Sequence, residues 1–496
     1  MESYWFATHP PKTALSASFN EGAHFDVVVA GAGLTGLTTA LLLARTGLTV
    51  AVVEARTVGA VTTGNTTAKL SLLQGTSLSG IRSHQSDKVL RAYVEGQREG
   101  QAWLTRFLDT VGVDYERRTA YTYATTPDGA DALRKELDAS RTGGLEEVTW
   151  TEETELPFAV TGALTLPDQA QIHPLKVLDA LLGEFLAHNG VVFEGTRLLN
   201  AEGDEPVRVT TSAGDLTADR VVLATGIPPL DRGGYFAKLV PARSYATAHR
   251  VPGDIPQGMY LSADSPTHSL RTLDDGGEQL LMVGGHGHVV GRTDSEAAAL
   301  QSLVAWAETS FPGAELTHAW SAQDYRTVDR VPYVGRMPGG HGDIFVATGY
   351  NKWGMTNAIA AALNLSAQML GGSMPWAETL TDRGTSVTAV GEALSANLKV
   401  AGHLAKDWTK AEVGSLPDGP PGEGTGVVGR HEGKPVAVST VGGVTCRVSG
   451  VCTHLGGIVN WNDAEKTWDC PLHGSRFAAD GTVLEGPASR DLGRID

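Results

Sequence analysis

The 496-residue sequence predicts an α/β protein that ends in a small all-β domain. Three observations lead there. A short apolar strand, a glycine loop, an apolar helix and a second strand follow one another between Phe25 and Glu54. Two more apolar strands end in Ala-Thr-Gly turns, at Gly226 and at Gly349. A turn-rich stretch from Leu416 to Gly426 then sets off a final segment in which two cysteine–histidine pairs sit in short glycine-bearing loops.

Composition narrows the function classes. The chain is 41% hydrophobic and 19% charged, ordinary for a globular protein of two or three domains. A net charge of −17 argues against a nucleic-acid partner. Met1 to Phe25 lacks the basic and apolar regions of a signal peptide, and no uncharged apolar run is long enough to span a bilayer. Neither secretion nor membrane insertion is expected. Of three cysteines, two belong to the pairs above and Cys446 is left over, expected as a buried thiol. A cytoplasmic, reducing compartment fits this usage.

Phe25 to Ala30 reads as a buried strand running into Gly31-Ala32-Gly33-Leu34-Thr35-Gly36 and then a helix from Leu37 to Arg45. A second strand, Leu48 to Val53, ends on Glu54-Ala55-Arg56. This is the βαβ dinucleotide fingerprint in full context: Gly31 for the tight turn, Gly33 for close approach to a pyrophosphate, Gly36 for helix–strand packing. The helix amino terminus offers free N–H groups to phosphates, and Glu54 stands where a carboxylate accepts from a ribose hydroxyl. The fingerprint alone does not separate FAD from NAD. The next loop does: Thr62, Thr63, Gly64, Asn65, Thr66, Thr67, Ala68, Lys69 and Leu70 are small, hydroxyl-rich residues suited to wrapping a flavin's pyrophosphate and ribityl chain. Later come Ala224-Thr225-Gly226, and Gly349 followed by Lys352, Trp353, Gly354 and Met355 at the head of a helix from Thr356 to Leu370.

In this order the motifs resemble the D-amino-acid-oxidase and glycine-oxidase superfamily of FAD proteins. The resemblance covers residues 25 to 370 and includes Gln171-Ile-His-Pro174, a strand from Val191 to Leu199 with Leu198 against the adenine, and Thr327-Val-Asp-Arg-Val-Pro-Tyr-Val-Gly335. It implies a Rossmann-like FAD-binding domain with an α+β substrate lobe, and a helix near Gly354 whose N–H groups face the flavin pyrimidine. No second G-x-G-x-x-G follows a strand, so no NAD(P)H site is expected. No histidine lies between residues 60 and 70, so non-covalent FAD is expected.

At the carboxy end, Cys452-Thr-His454 and Cys470-Pro-Leu-His473 give C-x-H-x15-C-x2-H. Two thiolates and two imidazoles can hold a [2Fe–2S] cluster, cysteines on one iron and histidines on the other. A zinc knuckle competes, but zinc sites favour C-x2-C and neither pair has it. The flanking Leu455-Gly-Gly457 and Gly474-Ser475 resemble the Rieske ferredoxin family, implying a small all-β Rieske domain. The respiratory Rieske proteins brace the two loops with a disulfide; the corresponding positions here are Gly457 and Leu472. Ser475 is kept, but their tyrosine is Phe477, which implies a lower reduction potential. Residues 443–496 are similar to the ferredoxin half of bacterial FAD–Rieske fusions.

The expected layout is an FAD-binding domain of residues 25–75, 160–230 and 325–372, and a substrate lobe of 76–159 and 231–324. A bridging helical segment at 373–411 and a Rieske domain at 412–496 complete it. Helix is expected over 86–112, strands at 258–261, 268–271 and 279–283, a loosened pattern over 375–391 and helical character near 392–407.

The resemblance implies hydride transfer from a small substrate, typically an amine, to flavin, then single electrons to the cluster and an external acceptor. Glycine-oxidase-like enzymes bind the substrate carboxylate through an arginine three residues before the Thr327 position; here Asp324 stands there and Arg326 is displaced. Asp324 suits a cationic amine, or pairs with an arginine. Lys352, His286 and His288 are the candidate catalytic residues, each competing with a plain surface or loop role, and Tyr260 and Tyr325 are weaker candidates. The alternative function is an electron carrier between a reductase and an acceptor, without an organic substrate.

Overall fold

The computed structural model describes residues 1–11, 17–203, 205–339, 343–384 and 419–495, with scattered positions from 391 to 416. Two large sheets and a small β domain make up the described chain.

The first sheet has eight strands. Its central run places Ile344–Thr348, Gly214–Leu223, His24–Ala30, Val50–Val53 and Val191–Phe193 side by side and parallel. Their buried stretches, Val27–Ala30, Val50–Val53, Val221–Leu223 and Ile344–Ala347, are wholly apolar and mostly valine because helices and loops cover both faces there. The helix Leu34–Ala44 begins at the glycine loop, three residues earlier than expected, and is buried on almost every side. It carries only apolar residues, threonine and glycine because it lies between the sheet and two further helices, Pro174–Ala187 and Gly354–Met369.

The second sheet, nine-stranded, forms the lobe over the first. Its edge-to-edge order runs Glu315–Thr327, Leu239–Arg250, Glu278–Val289, His268–Asp275, Met259–Ser262, Glu116–Ala124, Gly162–Gln171 and Lys69–Leu70. The strands expected near 258, 268 and 279 are present at its centre. The 25-residue helix Asp87–Val111 starts on Ser86, whose hydroxyl accepts from Val89 N–H, and stops at Gly112 in the left-handed region.

Two expected elements change and one is added. Val191 to Leu199 is not one strand: Val191–Phe193 ends at a turn with Gly195 at φ 63°, and Leu198–Glu202 starts a separate strand. Glu54 and Arg56 carbonyls accept from Thr196 and Gly195 N–H, so the turn pays its backbone hydrogen bonds to the nucleotide loop. Residues 375–381 form a helix started by Pro375, which burial of Trp376 against the long helix explains. A short helix, Tyr4–Thr8, was not anticipated; Trp5 is buried and donates to Thr66 carbonyl. Half of the positions in 392–407 lie outside the described residues, and the others are helical.

The carboxy-terminal domain is two antiparallel sheets, one of three strands (Thr425–His431, Lys434–Val441, Val444–Ser449) and one of four (Asn460–Asn462, Thr467–Asp469, Arg476–Ala478, Val483–Glu485). Trp468 and Phe477 fill its core and leave no side-chain surface exposed. Cys446 is half-buried on an outer strand, not buried as expected. No helix among the described residues is long and apolar enough to cross a membrane.

Candidate flavin and iron–sulfur sites

A cavity of about 730 Å³ opens at the carboxy ends of the parallel strands, where open α/β sheets place their ligands. Gly31, Gly33, Leu34, Thr35, Glu54, Ala55, Arg56, Asn65, Thr67, Lys69, Leu198, Ala224, Thr225, Gly226, Gly349, Lys352, Trp353, Gly354 and Met355 all line it. Of the sequence-predicted set, Ala32, Gly36, Gly64, Ala68 and Leu70 do not; they shape the wall from behind. A Cβ on Gly36 would sit 1.8 Å from Gly31 carbonyl oxygen, so glycine alone lets the helix approach the turn. One on Gly64 would meet the Gly59 carbonyl and the Phe6 ring.

The residues fit a flavin nucleotide. Glu54 accepts from Ala32 and Arg56 N–H at 2.8 Å each, which aims the carboxylate at the cavity rim. Burial nonetheless raises its pKa. Two helix amino termini, at Leu34 and Gly354, face the cavity, and neither has a side-chain cap from its N-cap residue. Their free N–H groups suit phosphate and an electron-rich ring.

Toward the lobe, the cavity wall gathers the candidate catalytic groups. Lys352 has φ 71° and donates through Nζ to Ser244 hydroxyl at 2.8 Å; its backbone N–H donates to the Asp324 carboxylate. Burial pushes the Lys352 ammonium down to about 8 and the Asp324 carboxyl up. Arg326 lines the same wall, and its Nε is buried without a partner among the described residues. His286, at φ 49°, also lines it and lies 3.4 Å from His268 through their Nε2 atoms. His288 does not line the cavity; two residues on from His286, its Nε2 is 3.1 Å from Tyr245 hydroxyl. Tyr325 lines the cavity, whereas Tyr260 hydroxyl pairs with Glu155.

In the small domain, the four proposed ligands meet. Each loop is closed on itself: Cys452 N–H donates to Gly457 carbonyl and Cys470 N–H to Ser475 carbonyl, both at 2.8 Å. Cys452 and Cys470 thiols are hydrogen-bonded to each other, and backbone N–H groups of His454, Leu455, Leu472 and His473 point at the sulfurs. The histidine rings lie edge to face, 5.1 Å apart. His454 Nδ1 is buried and unpartnered among the described residues, the mark of a nitrogen awaiting a metal. These donors suit a [2Fe–2S] cluster, which takes protein ligands two per iron. No set of three His, Cys, Asp or Glu for a single metal ion gathers among the described residues. Where respiratory Rieske proteins have their disulfide, a Cβ on Gly457 would lie 2.7 Å from the Leu472 side chain. A leucine packed on a glycine replaces the covalent brace.

The cluster loops are pressed against the flavin-bearing part. Phe236 sets its ring edge-on to both His454 and His473, and His454 Nε2 meets Asp231 at 2.9 Å. Gln323 Nε2 donates both to Gly474 carbonyl at 2.8 Å and to Tyr325 hydroxyl at 2.9 Å, joining the cluster loop to the cavity wall. Asp231 and Phe236 carried no sequence signal, being some 220 residues from the histidines they touch.

The profile of the FAD dependent oxidoreductase family matches residues 26–368, and that of the Rieske [2Fe-2S] domain matches 412–495. This chain belongs to the FAD dependent oxidoreductase family. It carries a Rieske domain behind the family domain. The Bacillus subtilis (strain 168) protein YhfW, named for a Rieske 2Fe-2S iron-sulfur protein, is 32% identical over 511 residues, all of both chains. The cytochrome b6-f iron-sulfur subunit of Synechococcus (strain JA-3-3Ab) is 53% identical over 45 residues, 9% of this chain and 26% of the subunit. Among solved structures, glycine oxidase from Geobacillus kaustophilus superposes with TM-score 0.60 at 21% identity, covering 71% of this chain and 96% of that one. L-proline dehydrogenase from P. horikoshii gives 0.58 at 16%, covering 72% and 96%. At such identities these two show the fold alone.

Proposed function

We propose that this FAD- and Rieske-dependent oxidoreductase oxidises a small organic amine and passes the electrons, one at a time, to its own cluster and on to an external acceptor. The observation that carries this reading is Gln323, one side chain bonded to both the cavity wall and the cluster loop. Bound FAD supplies a two-electron acceptor and the cluster a one-electron carrier.

The protein's part is to hold and prepare the substrate. Asp324 and the lysine beside it form a polar patch on the lobe side of the cavity. Asp324 attracts a substrate ammonium; Lys352, whose buried amine is neutral above about pH 8, accepts the ammonium proton and leaves a lone pair on nitrogen. His286 borders this patch and orients the substrate. Leu261, Pro266 and Ser269 of the lobe wall shut out water and set substrate size. A carrier without an organic substrate would need none of these lobe residues around its flavin.

The test is an anaerobic panel of primary and secondary amines, amino acids and hydroxy acids added to the holoprotein. Amines without an α-carboxylate should bleach the flavin fastest. Bleaching by hydroxy acids alone, or by none of the panel while a reductase does so, would defeat the reading.

A further inference from the structure

The cavity that fits FAD is not built by the flavin-binding region alone. Leu484, Glu485, Gly486, Ala488 and Ser489 of the Rieske domain form part of its wall, together with Ile227 and Tyr325. Ile227 lies within van der Waals reach of a Cβ on Gly486, and Arg197, beside Leu198 on the cavity rim, donates to Val483 carbonyl at 2.9 Å.

Glu485 decides what this wall does. Its side chain is 7% exposed. One carboxylate oxygen, Oε1, takes Arg476 at 2.7 Å. The other, Oε2, is buried with no hydrogen-bond partner among the described residues. A buried carboxylate oxygen left without a donor costs free energy unless something supplies one. Glu485 itself lines the cavity, where the cofactor brings hydroxyl and amine donors. We propose that the Rieske domain is part of the FAD-binding site: Glu485 accepts a hydrogen bond from the bound cofactor, and segment 484–489 closes the cavity over it.

Two consequences follow. FAD leaves only when the Rieske domain lifts, so docking of that domain and retention of FAD are linked. Linkage is reciprocal, so bound FAD tightens the docking by the same factor. The docking itself is held at places remote from the cavity. Asp463 accepts from Ser295 hydroxyl at 2.6 Å and from Ala297 N–H at 2.8 Å, capping the lobe helix Glu296–Ser310 from across the interface. This assignment holds whichever substrate reduces the flavin.

The test measures FAD release from the full-length holoprotein by the rise in free-flavin fluorescence on dilution. Two variants are compared with the native chain: Glu485→Gln, and Asp463→Ala, which loosens the docking without touching the cavity. The visible spectrum of the cluster reports that the Rieske domain stays folded. Both variants should release FAD about tenfold faster or more, as expected for loss of a hydrogen bond to a charged group. If both release FAD at the native rate, the assignment is overturned. If Glu485→Gln loses its cluster, Asp463→Ala decides alone: faster release supports the assignment and native release ends it.

Discussion

Lys352 is the residue on which the proposed chemistry turns. Its pKa is lowered to about 8, burial being the largest cause and Arg326 the next. An amine that must be neutral to take a proton works above its pKa, so flavin reduction at limiting substrate should rise with pH and level off above about 8. Lys352→Met should remove that limb and slow reduction by roughly 10²–10⁴, the usual share of a general base. A pH profile by rapid mixing checks both. At the cluster, Ser475 hydrogen-bonds Cys452 sulfur, but Phe477 offers no hydroxyl. The reduction potential should therefore lie below the respiratory Rieske class, and Phe477→Tyr should raise it; a redox titration followed by EPR measures each. The four candidate ligands, which the structure brings together, stood out in the sequence because metal coordination fixes residue type and spacing together. Asp231 and Phe236 did not, because a ring and a carboxylate that touch the histidines across the fold leave no pattern in the chain.

Single elements explain why the two sites share one molecule. The strand Glu315–Thr327 alternates faces: Ala322, Asp324 and Arg326 line the cavity, while Ser321 and Gln323 bond the Rieske domain and Tyr325, on their face, reaches round to the cavity as well. It is a partition with one site on each side. Its period of two was readable in principle, but nothing in the sequence said that a second domain would cover its outer face. The glycine-loop helix was legible to within three residues of its start, since its fingerprint encodes a turn, a close approach and a packing contact at fixed spacing. Gly36→Val puts a side chain into the Gly31 carbonyl and should yield protein with little or no bound flavin, read as the flavin-to-protein absorbance ratio. The strand expected from Val191 to Leu199 was misjudged because the turn at Gly195 serves the nucleotide loop, a tertiary demand that local propensity does not show.

Across the whole molecule, a buried charge network ties the halves together. Arg243, 1% exposed on the lobe sheet, meets Glu465 of the Rieske domain at 2.7 Å, and Arg476 meets Glu465, Asp469 and Glu485. Against the opposing effect of burial, the two guanidinium groups hold Glu465 down to about 2. Removing one partner strands a buried charge, so Arg243→Met should cost about 3–5 kcal/mol of interface stability. Cluster absorbance and flavin fluorescence should melt together in the native protein and separately in the variant. Such a fixed dock matters only if electrons cross it. The decisive measurement mixes the full holoprotein anaerobically with an amine that reduces its flavin, with no mediator present. The account predicts flavin bleaching followed by the Rieske EPR signal within the same turnover; a fully reduced flavin beside a cluster that stays oxidised and EPR-silent would contradict it.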